Sequence, residues 1–477
     1  MPLLPSIWLP KIGAGGLVLL CLIVRLVALD ADPPSWLSWS TGLYTDEGFY
    51  TLDARSEALF GTTAPGNFHD SLLSPLLSLI QQGIFTVFGT GLLQARLFSV
   101  VFGLLTVALF WLGLRRAYGA RTADLGALFL GLAPTFVFYN RLALQETPTV
   151  FWLALAFALW AYGKFASGAA LAVAIIFKSL AVVALPVLLI APPAPNNGGA
   201  GRGDRPRSVT SLAPPLLGAG GILLLYFFVW YWPHHTELAR MANYYRFHQM
   251  QPHSALSLWL NVRRGLIGGE RGVIPYLLAF LPVPCLLAGW KLSKWRVWTQ
   301  ADCYLAIWLG CGLTFCLLSS YAPSRYYVLF LPPLAGLAAR CLVEWKRSVQ
   351  ITAIFAFCVV SLAWYGAAWV GRTDTRRDAS QTLVRLLPPG SVVIGEFAPS
   401  LCLDTPFAAA PVQPGLSNDD HPVERLHATD IAVTRTAFWQ AWWEQRYPGI
   451  VVPSHKIATV SLGGSRRYII DVYAVRN

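Results

Sequence analysis

Charge is scarce in this sequence: Asp, Glu, Lys and Arg together make up 13% of its 477 residues. With 55% hydrophobic residues and a mean hydropathy of +0.51, that scarcity excludes a soluble chain. Cysteine is present but lacks arrangement, since none of the eight stands in a CxxC or other metal-ligand spacing. Cys21, Cys285, Cys311, Cys316, Cys341 and Cys358 lie in apolar runs, where a thiol acts as a small hydrophobe. No disulfide framework follows. His234, His235, His248 and His253 crowd one stretch, yet no two have the helical spacing of an HExxH-type site, which argues against a metal. No small-x-small cleavage pattern follows the first apolar run near Ala28–Asp32, so Lys11 and that run read as an uncleaved span rather than a signal peptide. Lys and Arg outnumber Asp and Glu by 36 to 24, but they sit largely in short connections between apolar runs. That placement sets membrane orientation and implies no nucleic-acid partner. What remains is a polytopic membrane protein.

Apolar segments of spanning length fall at about 12–29, 96–114, 122–139, 147–163, 212–231, 272–290, 301–320, 326–343 and 349–370. Placing basic clusters inside puts Arg115, Arg116, Arg121, Lys164, Arg202, Arg205, Arg207, Lys291, Lys294, Arg296, Arg340, Lys346 and Arg347 on the cytoplasmic side. Lys164 and Arg202 are then both inside, so the apolar run at 165–192 crosses an even number of times. It is too short for two full helices of about 20 residues. It reads as a hairpin of two short or broken helices with Lys178 at its apex, where a lysine at membrane depth faces a water-filled cavity or an anion. The expected architecture is mainly α, with about 11 transmembrane helices of which two are short or broken.

The same parity places about 30–95, 232–271 and everything after 371 outside, with the turns Tyr139–Thr147 and Ser320–Arg325. The first outer loop opens on Tyr44-Thr45-Asp46-Glu47-Gly48-Phe49-Tyr50, an acidic pair where charge is rare. Asp46–Phe60 reads as a helix, capped by Thr45 or Asp46 and stopped by Gly61, with Asp46, Tyr50, Asp53 and Glu57 on one polar face. The apolar stretch 72–90 has no parity left to cross and reads as an interfacial helix. Residues 371–477 change composition: Ser391–Phe397, Asp430–Thr434 and Tyr468–Val475 read as strands, Arg376–Leu387 and Thr436–Tyr447 as helices. Two domains are expected, 1–370 in the membrane and 371–477 as a small extracytoplasmic α/β domain with no phosphate loop and no triad.

Asp46-Glu47 is followed by Tyr50, Ala54 and Leu59-x-Gly61, and Phe88-Gly89 by Gln94-Ala95-Arg96-Leu97; Asn140–Glu146, Phe177-Lys178 and Ser324–Tyr327 with Leu331-Pro332-Pro333 come after them. In this order the motifs resemble those of the C-type glycosyltransferase superfamily, and more narrowly its protein O-mannosyltransferase and lipid A aminoarabinose transferase group. Asn140-Arg141-Leu142-Ala143-Leu144-Gln145-Glu146 is similar to an outer turn carrying an acidic residue. Phe177-Lys178 resembles the hairpin lysine, and Ser324-Arg325-Tyr326-Tyr327 before Leu331-Pro332-Pro333 resembles an Arg-Tyr…Pro signature. The resemblance runs over roughly 10–370. It departs at Phe68-His69-Asp70-Ser71, where many relatives carry His-Pro-Pro or Lys-Pro.

The resemblance implies transfer of a sugar from a polyprenyl-phosphate donor to a hydroxyl of a protein, lipid or glycan, at the outer face of a bacterial-type inner membrane. Asp46 is then the general base, with Glu47 and Glu146 as catalytic companions that orient it or bind substrate. Arg325 and Lys178 would hold the lipid phosphate, with His69, Tyr50, Tyr326 and Arg141 as further substrate-binding candidates. No cofactor is required; a divalent cation on the carboxylates, as in the related oligosaccharyltransferases, is the less favoured reading. The competing class is a secondary transporter or lipid flippase, against which stand the lack of a repeat between the halves and acidic residues gathered at one surface. An inactive member of the same fold is the third reading.

Overall fold

The computed structural model of the protein describes residues 13–191, 213–244, 254–464 and 468–475. Lys11, the linker with Arg202, Arg205 and Arg207, and the stretch with Tyr245, Arg246, Phe247, His248 and His253 lie outside the described residues.

The chain begins with α1 (Gly13–Leu26), then α2 (Gly42–Tyr50), α3 (Leu52–Phe60), α4 (Asp70–Leu73) and α5 (Pro75–Phe88). The long α6 (Leu92–Tyr118) leads to α7 (Ala120–Gly131), α8 (Pro134–Asn140), α9 (Glu146–Ala161) and α10 (Ala166–Phe177). A 3₁₀ stretch, Ser179–Leu189, completes the run after α10. Then come α11 (Ala213–Tyr226), α12 (His235–Tyr244), α13 (Ala255–Ile267), α14 (Val273–Phe280), α15 (Pro282–Ser293) and α16 (Gln300–Leu318). A 3₁₀ turn at Ser324–Phe330 enters α17 (Leu331–Val343), which tolerates Pro332 and Pro333 because they lie in its first turn. The 24-residue α18 (Arg347–Val370) ends the helical body.

Five helices of the described residues are long and apolar enough to cross a membrane, and two bent pairs raise that number to seven. The bends have a cause. Pro134 opens α8 and Pro282 opens α15, and a proline cannot donate to the preceding turn. The pairs turn by 62° and 116°, so the spans expected at 122–139 and 272–290 are broken rather than straight. Eleven crossings would need four of the five shorter apolar helices to cross as well.

The expected helix over Asp46–Phe60 is corrected. It starts four residues earlier, at Gly42, which puts Asp46 mid-helix instead of at the cap. It is also interrupted at Thr51, whose hydroxyl donates back to the Glu47 carbonyl at 2.7 Å and competes with the helical ladder. Gly61 ends α3 with φ +70°, as its position suggests.

After α18, α19 (Thr375–Leu386) leads into a five-stranded sheet of order β2-β1-β3-β5-β4. Its strands are β1 (Val392–Ile394), β2 (Ala408–Ala410), β3 (Asp430–Thr434), β4 (Lys456–Leu462) and β5 (Tyr468–Ala474). β1 pairs parallel with β2 and β3, and β5 pairs antiparallel with β3 and β4. α20 (Ala398–Leu401) and α21 (Pro422–Arg425) are single turns, and α22 (Ala437–Arg446) covers one face. Strand alternation divides the packing. Ile394, Ile431 and Val433 form a core with Trp439 and Trp443 of α22, whereas Val393, Ala432 and Ile470 join the core of the helical body. The sheet is therefore seated on the helices.

Candidate active site

Four of the residues singled out in the sequence meet as one chain of alternating charge. The Arg325 guanidinium reaches Asp46 (Nη2 to Oδ2, 3.0 Å) and Glu146 (Nε to Oε1, 3.3 Å). The Lys178 ammonium lies 3.0 Å from the same Glu146 oxygen. Glu146 is fully buried, while Asp46 keeps 14% of its side chain exposed and forms the open end. Two tyrosines wall the cations. Lys178 stands 4.9 Å from the Tyr326 ring and 5.8 Å from that of Tyr50, and Arg325 stands 5.4 Å from Tyr326.

Local structure explains each position. Lys178 sits where α10 stops, in an extended conformation, and the freed Phe177 carbonyl accepts from Ser74 Oγ at 2.9 Å. The break expected in the 165–192 run thus falls at Lys178 and is tied to the start of α5. Glu146 is the first residue of α9, where a carboxylate favours the helix dipole. Arg325 follows Ser324, whose hydroxyl donates to the Leu37 carbonyl at 2.7 Å, an oxygen that also accepts from Tyr139 and Tyr276. Tyr321 adds a hydroxyl 3.4 Å from Arg325 Nη2 and 2.9 Å from Ser40 Oγ. Tyr321 and Leu37 carried no motif, so sequence reading missed them, and Ser324 was noted only as the residue before Arg325.

Ionisation of the open end follows from its surroundings. Burial pushes the Asp46 carboxyl above the usual carboxylate range; Arg325 pulls it down, and the Glu146 charge pushes it up again. In the usual carboxylate range this acid would be a weak base. Raised, it becomes a better one.

Three candidates do other work. Glu47 is fully buried and saturated: Arg96 donates to both oxygens at 2.8 and 2.7 Å, Arg376 to Oε2 at 2.7 Å, and the Ala143 amide to Oε1 at 2.8 Å. Burial raises its carboxyl, but the two arginines win and hold it at about 2. Such a carboxylate has no lone pair left for substrate, so of the two roles expected for Glu47, orienting Asp46 and binding substrate, its contacts favour the first. Arg141 donates to the Val24 and Ala28 carbonyls at 3.3 and 2.5 Å, closing the end of α1 and touching none of the four clustered charges. His69 bonds Asp53 Oδ1 at 3.0 Å in a local network that Ser71 and the Ala64 amide complete. It touches none of the four clustered charges. The polar face expected on one helix is likewise divided: Asp46 and Tyr50 face the cluster, Asp53 takes His69, and Glu57 takes Gln82.

Gly42 makes the close approach at Asp46 possible. A Cβ there would lie 2.4 Å from Arg325 Nη1 and 2.8 Å from both Asp46 oxygens. Gly42→Ala is expected to push the pair apart and reduce turnover about tenfold or more, with little change in thermal stability. Steady-state rates beside a melting curve check it.

An apolar cavity of about 1000 Å³ runs along α16, lined by Val183, Leu309, Leu313, Phe315, Leu318 and Ser319 among others. Val183 and Phe315 also line a smaller space that includes Tyr326. The apolar groove and the charged cluster are therefore neighbours.

With that geometry in view, the likeness to known proteins is informative. The ArnT structure from Cupriavidus metallidurans in the apo state matches with a TM-score of 0.66 at 15% identity, covering 98% of each chain. ArnT bound to undecaprenyl phosphate matches with 0.63 at 15% identity, over 97% of this chain and 99% of ArnT. The archaeal oligosaccharyltransferase AglB from Archaeoglobus fulgidus, in complex with an inhibitory peptide and a dolichol-phosphate, matches with 0.54 at 11% identity, over 92% of this chain and 71% of AglB. A family model described as dolichyl-phosphate-mannose-protein mannosyltransferase matches residues 73–232, which include Glu146 and Lys178. No curated protein sequence matches. The protein is a multi-pass membrane protein with the fold of the C-type glycosyltransferase superfamily. Within that fold it is similar to the protein O-mannosyltransferase and ArnT group, as its ordered motifs imply.

Proposed function

We propose that the protein transfers a sugar from a polyprenyl-phosphate-linked donor to an acceptor hydroxyl on the outer face of the membrane. The observation that carries this reading is the buried Asp46–Arg325–Glu146–Lys178 chain, open at Asp46 and bordered by the apolar groove on α16. Asp46 takes the proton as the acceptor oxygen attacks the anomeric carbon. The bond from that carbon to the phosphate oxygen breaks, and the electron pair leaves with the polyprenyl phosphate. Lys178 and Arg325 stabilise the negative charge that develops there, most effectively because water is largely excluded. The groove suits a polyprenyl tail, since it is almost wholly apolar and shares Val183 and Phe315 with the smaller space lined by Tyr326. Arg325 and Lys178 already neutralise Asp46 and Glu146, so the reading invokes no metal, and chelator treatment is expected to leave the rate unchanged. The basic connections support an outer site and an inner-membrane location.

The test is release of free polyprenyl phosphate by the purified protein, offered a panel of polyprenyl-phosphate sugars with crude membrane acceptors. Acceptor-dependent release from one donor identifies the reaction and the sugar together. Release from none, with the protein folded and lipid-bound, overturns the reading in favour of transport or an inactive scaffold.

A further inference from the structure

The helix that carries Asp46 is held from behind by the C-terminal region. Glu47, the next residue on α2, ties four segments through one carboxylate: α2 itself, Arg96 of α6, the turn at Ala143 that leads into Glu146, and Arg376 of α19. Arg376 is itself set in place, because its amide and Thr375 donate to the Asp32 carboxylate, which also receives the Thr373 hydroxyl. A second contact is independent of charge. Ser400 of α20 donates to the Tyr44 carbonyl, and its backbone packs so closely on α2 that a Cβ at Gly48 would lie 2.3 Å from the Ser400 nitrogen. Residues 44, 47 and 48 are thus fixed from 376 and 400, and Asp46 lies between them on the face turned to Arg325.

We propose that Arg376 is a positioning residue for Asp46, so that the C-terminal region completes the active site by fixing the angle of α2. This rests on the glycosyltransferase reading for its consequence on rate, though not for its consequence on geometry. A buried ion pair adds little net stability because desolvation offsets the attraction, but it discriminates strongly between one arrangement and another. If Arg376 is lost, Arg96 still neutralises Glu47 with two hydrogen bonds, so the fold keeps its partner while α2 loses one of its stays. Misplacing a base by about 1 Å can cost about a hundredfold in rate.

The experiment compares Arg376→Gln, Arg376→Lys and Gly48→Ala in the full-length protein. Arg376→Gln is expected to lower kcat by about ten- to a hundredfold with the KM for the donor within about threefold. Arg376→Lys should recover most of that loss, because a single nitrogen, Nη1, makes the Glu47 contact. Gly48→Ala should lower kcat in the same direction without removing any charge. An unchanged kcat in Arg376→Gln overturns the proposal, as does equal loss in the Gln and Lys variants with a parallel fall in melting temperature. A readout that needs no turnover separates the two hypotheses. In an Asp46→Cys background, Arg376→Gln should change the rate of thiol labelling at position 46 by about fivefold or more, with the parent protein as blank for its eight native thiols. If the wild type transfers no sugar yet labelling changes, the function fails and the positioning stands. If the wild type transfers sugar and labelling is unchanged, the positioning fails.

Discussion

Asp46→Asn is expected to lower kcat by about 10²- to 10⁴-fold, the usual contribution of a positioned general base. The change is nearly isosteric and leaves Thr45 a carbonyl oxygen to replace the one it now bonds at 3.3 Å, so the fold has little to lose. Burial has lifted the Asp46 carboxyl above its ordinary value, which fixes the sign of two pH effects. For catalysis the base must be ionised, so the wild-type rate falls as pH drops through the raised value, and the variant's residual rate lacks that acid limb. For stability, a raised acid binds its proton more tightly folded than unfolded. Asp46 therefore destabilises the folded state progressively as pH rises from the unfolded carboxylate value to the folded one, and Asn removes that penalty. The variant should be inactive and slightly more stable at neutral pH. Rates of polyprenyl phosphate release and melting temperatures across a pH series decide it. An identical acid limb in the variant, or a loss below about tenfold, would remove Asp46 from the role of base.

The legible part of this molecule was its hydrophobic pattern. Spanning segments, the break at Lys178 and the stop at Gly61 follow from apolar runs, parity and one glycine, which are local signals. The convergence of Asp46, Glu146, Lys178 and Arg325 was legible through motif order, since scarce charge at loop starts has few roles. What distinguishes Asp46 from Glu47 is not local. Both are acidic neighbours, and their different fates depend on Arg96 and Arg376, 49 and 329 residues away. Arg141 looked like Arg325 for the same reason; its partners are carbonyls at the end of α1, which have no signature in sequence. In the sheet, β2 is three alanines with no strand preference, and β4 is an edge strand with exposed and half-buried positions, so neither stood out. The start of α2 was misplaced because Thr45 resembles a cap, whereas Ser40, whose hydroxyl accepts from the Gly42 amide, lies at the true beginning.

Arg325 should be the least replaceable residue of the cluster, because one planar side chain serves two acids from two of its nitrogens. Arg325→Ala leaves Asp46 and Glu146 with Lys178 as their remaining cation, and breaking a buried pair from one side costs about 3–5 kcal/mol. Arg325→Lys restores the charge but offers a single nitrogen, which can favour Glu146 or Asp46 and not bridge both. The consequence for the reaction follows from counting charge. In the proposed reaction, before transfer, Asp46 and the donor phosphodiester each carry one negative charge. Afterwards Asp46 is protonated and the polyprenyl phosphate carries both. Total charge at the site is constant, but its location moves from the carboxylate to the phosphate, and a guanidinium between the two can follow it without relocating. An ammonium committed to one partner cannot. Arg325→Lys is thus expected to remain folded, with a melting temperature near wild type, and to lose about 10²- to 10³-fold in kcat, the scale of removing one transition-state donor. Arg325→Ala should lose stability and activity together. A fully active Arg325→Lys protein would show that only its charge matters, and the shared-guanidinium account would then be wrong.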